Sequence, residues 1–234
     1  MSGFVALGVI VLTFVVLWLL VRRLPAGGKR PLTSHHTLKQ QVAHSVESGR
    51  PIQVNLGRAS LITQQTATSL AALHILDHLV RSSTHNTPPN TNIGEATLLP
   101  AATTSLRRSH HPITPQFLAS EANPLAYASG TLNEATHTHP TALVTVGHHG
   151  AELAFINYAG QQQDTAHIIG SDSPEGLAVA MTTTTQPLMG EDLLATPAYL
   201  DGQPAQIASL YLQDIARWLL AGLLLLSALY RLIT

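Results

Sequence analysis

Residues Gly3 to Val21 form a run of 19 residues without a charged side chain, about 28 Å of helix at ~1.5 Å per residue. That length matches the hydrocarbon core of a bilayer, roughly 30 Å thick. A cleaved secretory leader has a basic start, a shorter apolar core and a small-residue cleavage site. Here no Lys or Arg precedes the run, and Arg22, Arg23, Lys29 and Arg30 follow it. The positive-inside rule places that basic flank in the cytoplasm and the N-terminus outside, with Trp18 at the interface.

The other end reads QDIARWLLAGLLLLSALYRLIT. Only 13 uncharged residues separate Arg217 from Arg231, roughly 20 Å of helix. Arginine side chains snorkel, so Ile215 to Ile233 is long enough to span, with Trp218 and Tyr230 as interfacial anchors. The segment is apolar all round, unlike a helix lying on a membrane surface. The expectation is a two-pass protein of the inner (cytoplasmic) membrane, both termini outside, with the lipid bilayer as a partner. Small residues in both runs (Gly3, Ala6 and Gly8; Ala221, Gly222, Ser227 and Ala228) permit close helix approach and point to self-association.

Four segments follow: a transmembrane helix at 1–22, a basic Pro/Gly linker with a short helix at 23–49, a cytoplasmic α/β domain at 50–204, and a helix running into the second span at 205–234. The chain has no cysteine, which excludes disulfides, thiolate nucleophiles and Cys-based metal sites. Net charge is -1 and the basic cluster is confined to residues 22–30, so nucleic acid is excluded as a partner.

Within the domain, His35 to Ser48 suits a short helix. PIQVNLG (51–57) reads as a strand, with Ile52, Val54 and Leu56 alternating. Ser60 is positioned to cap a long helix reaching Ser82. STHNTPPNTN (83–92) reads as a loop, EATLLPAA (95–102) as a short strand, and 115–137 as helical with a break at Pro124. TALVTVG and AHIIGS are continuous apolar runs, as expected of strands covered on both faces. Residues 151–161 tilt to helix on the spacing of Leu153 and Ile156. SDSPEG opens a helix, with Ser173 as cap and Pro174 first. TTTTQPLMG reads as a strand, and GEDLLATPAYL as a helix bent at Pro197. Strands alternating with helices give an α/β fold, a mostly parallel sheet with helices on both faces, flanked by one N-terminal and one C-terminal transmembrane helix.

Three clusters, VGHHGAE (146–152), MGEDLLATPAYL (189–200) and SLYLQDIAR (209–217), resemble an uncharacterised bacterial domain-of-unknown-function family of membrane-anchored proteins. NLGRASL and IIGSDSPEGLA fit the same pattern, and the likeness covers residues 50–217. Such a family has no assigned activity, so the resemblance implies no catalytic residues and no cofactor.

Three strands end in a glycine-containing polar turn before a helix: Gly57–Arg58, Gly147–His148–His149–Gly150, and Gly170–Ser171–Asp172. Open parallel sheets bind ligands outside the carboxyl ends of their strands. The turns are therefore a candidate crevice, with Arg58 available to an anion and Glu152, Asp172 or Glu191 adding polarity. The plain alternative is that any α/β domain places Gly and polar residues there for backbone reasons. Neither G-x-G-x-x-G nor a P-loop is present, so nucleotide binding has no support. His74 and His78, four apart in HILDH, share one helix face as a two-ligand metal clamp requires, with His44, His148 or His149 as third ligand. His148 and His149 are also candidate general bases. The leading functional expectation is a homo-oligomeric scaffold, assembly or small-ligand-binding protein at the cytoplasmic face. A tethered hydrolase using the Gly147–Gly150 turn, or a His-based metal sensor, are the alternatives.

Overall fold

The computed structural model describes residues 15, 19, 33–83, 87–108, 113–120, 122–163, 165–183 and 187–233. The chain divides into two units, residues 31–200 and a second made of 1–30 with 201–234. In the first, α1 (Thr33–Ser48) leads to β1 (Ile52–Leu56), α2 (Thr66–Ser82) and β2 (Asn90–Ile93). A 3-10 turn (Ala96–Leu98) then runs into α3 (Leu99–Arg108), β3 (Gln116–Phe117) and α4 (Pro124–Thr138). The remaining elements are β4 (Ala142–Gly147), α5 (Leu153–Gln162), β5 (Ala166–Ser171), α6 (Pro174–Thr183), β6 (Leu188–Met189) and α7 (Glu191–Asp201).

Six strands form one sheet in the order β3-β2-β1-β4-β5-β6. Every pairing is parallel. The expected α/β class and parallel sheet are therefore present, and the order is doubly wound, reversing direction between β1 and β4.

The two faces of the sheet differ in chemistry. Ile52, Val54 and Leu56 of β1, with Ala142, Val144 and Val146 of β4, join the main apolar core under α2 and α3. Leu73, Leu76, Leu79 and Val80 of α2 and Leu98, Ala102 and Leu106 around α3 complete it. Among the described residues, the opposite face carries small apolar clusters, such as Tyr127 with Ile156 and Leu153 with Ile169.

Between those clusters runs a buried polar ladder. Asn55 Oδ1 accepts from Gln53 Nε2 at 3.0 Å and from Asn92 Nδ2 at 3.1 Å, while Asn55 Nδ2 donates to Thr145 Oγ1 at 3.1 Å. With its oxygen already accepting, the Thr145 hydroxyl donates to His167 Nε2 at 3.1 Å. That leaves Nδ1–H of His167 to donate to Asn157 Oδ1 at 2.7 Å. The ladder crosses four strands and ends on α5. Replacing Asn55 by Ala strands the buried Asn92 amide and removes one bond each from Gln53 and Thr145, which keep Thr131 O and His167 as partners. A stranded buried group costs roughly 1–3 kcal/mol. The expected loss is about 3 kcal/mol, roughly 6–12 °C in melting temperature for a chain of this size. Thermal denaturation followed by circular dichroism measures it.

Several local expectations are corrected. The helix after β1 starts at Thr66, with Gln65 at the N-cap position making no side-chain cap bond, and Ser60 Oγ instead accepts from Ile62 N and meets Thr97 Oγ1. The end of the supposed loop 83–92 is strand β2, its Asn92 buried by the bond to Asn55. Residues 95–102 are a turn and helix, not a strand: Leu98, Ala102 and Leu106 sit four apart and face the core. The start of 115–137 is strand β3, paired with β2, and the helix begins at Pro124.

In the second unit, α8 (Pro204–Ile233) is one continuous helix of 30 residues that contains the expected span Ile215 to Ile233. Among the described residues no helix is long and apolar enough to cross a membrane. The first expected span and the linker before Thr33 lie outside the described residues apart from Val15 and Leu19, both helical, and the rest of the 23–49 segment is α1. The side chain of the expected anchor Tyr230 is outside them as well.

Candidate functional site

At the reversal between β1 and β4 the two chains stay paired beyond the strands. Gly57 N donates to Val146 O and Arg58 N to His148 O, both at 3.0 Å. A Cβ on Gly57 would sit 2.2 Å from His148 N and 2.8 Å from the Gly147 carbonyl carbon. Gly147 itself has φ +128°, a conformation that side chains disfavour. Both glycines are thus required by a backbone contact at the base of the crevice.

Above that base lies Arg58. Its Cγ passes 2.6 Å from where a Cβ on Gly94, just past β2, would stand. Its Nε donates to Glu152 Oε1 at 2.8 Å, and both side chains are nearly buried. The same carboxylate oxygen accepts from Gly150 N at 2.9 Å. Burial alone would raise the Glu152 pKa, but the Arg58 and backbone donors outweigh it and hold the carboxyl below its usual range. Gly150 is also the meeting point of Glu175, whose Oε2 lies 3.4 Å from a Cβ placed there.

The second pair is more open. His148 Nδ1 and Asp172 Oδ1 are 2.7 Å apart, with side chains 28% and 24% exposed. Thr68 Oγ1 donates to the other oxygen, Asp172 Oδ2, at 2.6 Å. An ionised carboxylate only accepts, so the ring proton sits on Nδ1 and Nε2 is left as the reactive edge. The Asp172 bond raises the His148 pKa against the effect of burial. Asp172 is held low by His148 and Thr68, which together outweigh its desolvation. Arg58 and Glu152 act on His148 electrostatically, so the two pairs form one charged cluster.

His149 plays a different part from its neighbour. It is 0% exposed, and its ring stacks on Tyr127 with centroids 5.9 Å apart and planes 28° apart. Neither ring nitrogen has a hydrogen-bond partner. Burial pushes its pKa down to about 4, so the ring is neutral at physiological pH. Tyr127 donates its hydroxyl to Leu56 O at 2.6 Å, and burial raises its pKa. Ser171 Oγ ties the two turns together by donating to His149 O at 3.0 Å and accepting from His149 N at 3.3 Å.

The chain matches a family model described as Domain of unknown function (DUF6754) over residues 3–234. It belongs to that family. No curated protein and no solved structure matches it.

This DUF6754 member thus brings Gly57, Arg58, Gly147, His148, Gly150, Glu152 and Asp172 together at one end of the sheet, with His149 buried beneath them. Glu191 is exposed at the start of α7, next to Gly190, whose N donates to Ser171 O at 3.2 Å. His74 is exposed and His78 partly buried on α2, and Asp77 between them pairs with Arg81 at 2.9 Å. Among the described residues no group of three or more His, Asp or Glu is placed to hold a metal ion. Thr68, Gly94, Tyr127 and Glu175 belong to the site and escaped the sequence reading. A glycine directly after β2, matching the glycines after β1 and β4, was the available signal for Gly94.

Proposed function

We propose that this chain is a membrane-anchored, self-associating binding protein that holds a small polar ligand over the carboxyl ends of β1, β4 and β5. The observation that carries the reading is the His148–Asp172–Thr68 relay, partly open to solvent at the topological switch point where doubly wound sheets receive ligands. Glu152, Asp172 and Glu175 outnumber Arg58 and His148, and Arg58 is engaged by Glu152. That balance favours a neutral or cationic ligand over an anion. Anchoring rests on the apolar runs Gly3–Val21 and Ile215–Ile233 and the basic cluster at 22–30, which orient the α/β domain to the cytoplasm with both termini outside.

The test is a thermal-shift screen of the full chain in mild detergent against neutral, cationic and anionic small molecules. The expected result is stabilisation of several degrees by a member of the first two groups, abolished in Asp172→Asn. Stabilisation by anions alone, or a hit that Asp172→Asn leaves intact, sinks the reading.

The same relay supports a second reading, a tethered hydrolase in which Asp172 orients His148 and Nε2 acts as general base on water. That reading expects turnover to vanish in His148→Gln while ligand affinity survives. The metal-sensor alternative on His74 and His78 has no third ligand among the described residues.

A further inference from the structure

We propose that the layer between the sheet and helices α4 and α5 is a binding site for ordered water, held beneath the crevice along the Asn55 ladder. The inference does not depend on what the crevice itself takes. Among the described residues, five buried side-chain atoms of this layer have no hydrogen-bond partner: Gln53 Oε1, Asn92 Oδ1, Asn157 Nδ2 and both ring nitrogens of His149. Gln53 and Asn92 both donate to Asn55 Oδ1, and Asn157 closes the far end of the ladder through His167. His149 shares the layer: after burial, it is the next influence that lowers the His167 pKa.

Such groups are rarely left dry, because each forfeits a hydrogen bond that it keeps in the unfolded chain. Five together would offset most of the stability of an ordinary domain. Turning the amides over does not help. A reversed Gln53 or Asn92 presents an oxygen to Asn55 Oδ1, and a ladder reversed throughout exchanges each orphan acceptor for an orphan donor. Gln53 would also lose its bond to Thr131 O at 3.1 Å.

The kinds of atom decide the occupant. Gln53 Oε1 and Asn92 Oδ1 only accept, Asn157 Nδ2 only donates, and the neutral His149 ring presents one nitrogen of each kind. A cation cannot use the donors, and an anion cannot use the acceptors. The partner must both donate and accept, and it must be small. Gln53, Asn92 and His149 are 0% exposed and Asn157 2%, so nothing much larger than water reaches them. Water meets both conditions, and an internal molecule bridges about two to four such groups. On His149 it gives the floor of the crevice a partner that turns to suit either ring tautomer.

Hydroxyl radicals made from water by a brief X-ray pulse oxidise side chains beside bound water, buried ones included. The full chain in mild detergent is irradiated at neutral pH, and mass spectrometry gives each residue's rate relative to the denatured chain. His149 and Tyr127, whose rings stack, are expected to react about tenfold faster than Leu153 and Ile169, apolar residues on the same face of the sheet. All four are 0% exposed, so exposure does not separate them. Rates at His149 and Tyr127 as low as those at Leu153 and Ile169 mean a dry layer whose polar atoms have paired with one another, and overturn the proposal. Fast rates at all four mean that the layer opens to bulk solvent, which overturns it equally.

Discussion

Gly57→Ala is expected to lower stability by at least about 3 kcal/mol, since overpacking of this kind costs 1–3 kcal/mol where side chains can yield and more where they cannot. Here the new methyl meets only backbone: His148 N at 2.2 Å, and Gly147 carbonyl carbon and Cα at 2.8 and 2.9 Å. No rotamer change relieves that. The strand ends must part, breaking the bonds from Gly57 N and Arg58 N to β4 and its turn. The melting temperature should fall by roughly 6–12 °C or more. Gly130→Ala is the control, because its Cβ meets only Leu118 side-chain atoms, at 3.2–3.4 Å. It should change stability by less than about 1 kcal/mol. Equal behaviour of the two variants would show that β1 and β4 are not locked together at the switch point.

The second large effect is acid sensitivity from His149. Burial holds its folded pKa at about 4, below the ordinary histidine value of 6.5. A histidine depressed in the fold contributes stability above its unfolded pKa and loses it as pH falls toward the folded value. At pH 5 the loss is about 2 kcal/mol, at 1.36 kcal/mol per pH unit below 6.5. His167, pushed down to about 3 by burial and then by His149, acts in the same direction. Only His148 opposes them between pH 7 and pH 5: its raised pKa gives stability that is full below about pH 6.5 and lost as pH rises. The lowered Asp172 carboxylate loses its contribution only on acidification below about pH 4, in the same direction as the buried rings. The buried rings prevail because burial is the largest influence on both of them and outweighs the nearby Glu152 carboxylate at His149. Cooling of the melting transition between pH 7 and pH 5 should therefore be roughly 4–8 °C larger in the parent chain than in His149→Phe. Parallel pH profiles would mean that His149 is not held neutral beneath the site.

The legible parts of this fold were those whose signal is local. β1 announces itself by alternation and β4 and β5 as apolar runs, and Ser173–Pro174 opens α6 as helix chemistry requires. β2 was hidden because NTNI has the composition of a loop. What makes it a strand is Asn92 bonding Asn55, 37 residues away, a tertiary partner that periodicity does not reveal. Strand β3 has two residues, too few to show alternation. The position of the site was legible because glycine turns after parallel strands fall on one edge of a sheet. Its pairings were not. Arg58 and Glu152 are 94 residues apart, and Thr68 and Asp172 are 104 apart. Adjacent in sequence, His148 and His149 looked interchangeable, yet one binds Asp172 at the opening and the other stacks on Tyr127 beneath it.

Native mass spectrometry of the full chain released from gentle detergent weighs whatever the crevice retains. The expected spectrum shows one small organic mass per subunit, and the loss of that mass in Asp172→Asn. Bare subunits in the parent chain, or the same adduct in both proteins, would contradict a ligand site at the carboxyl ends of β1, β4 and β5.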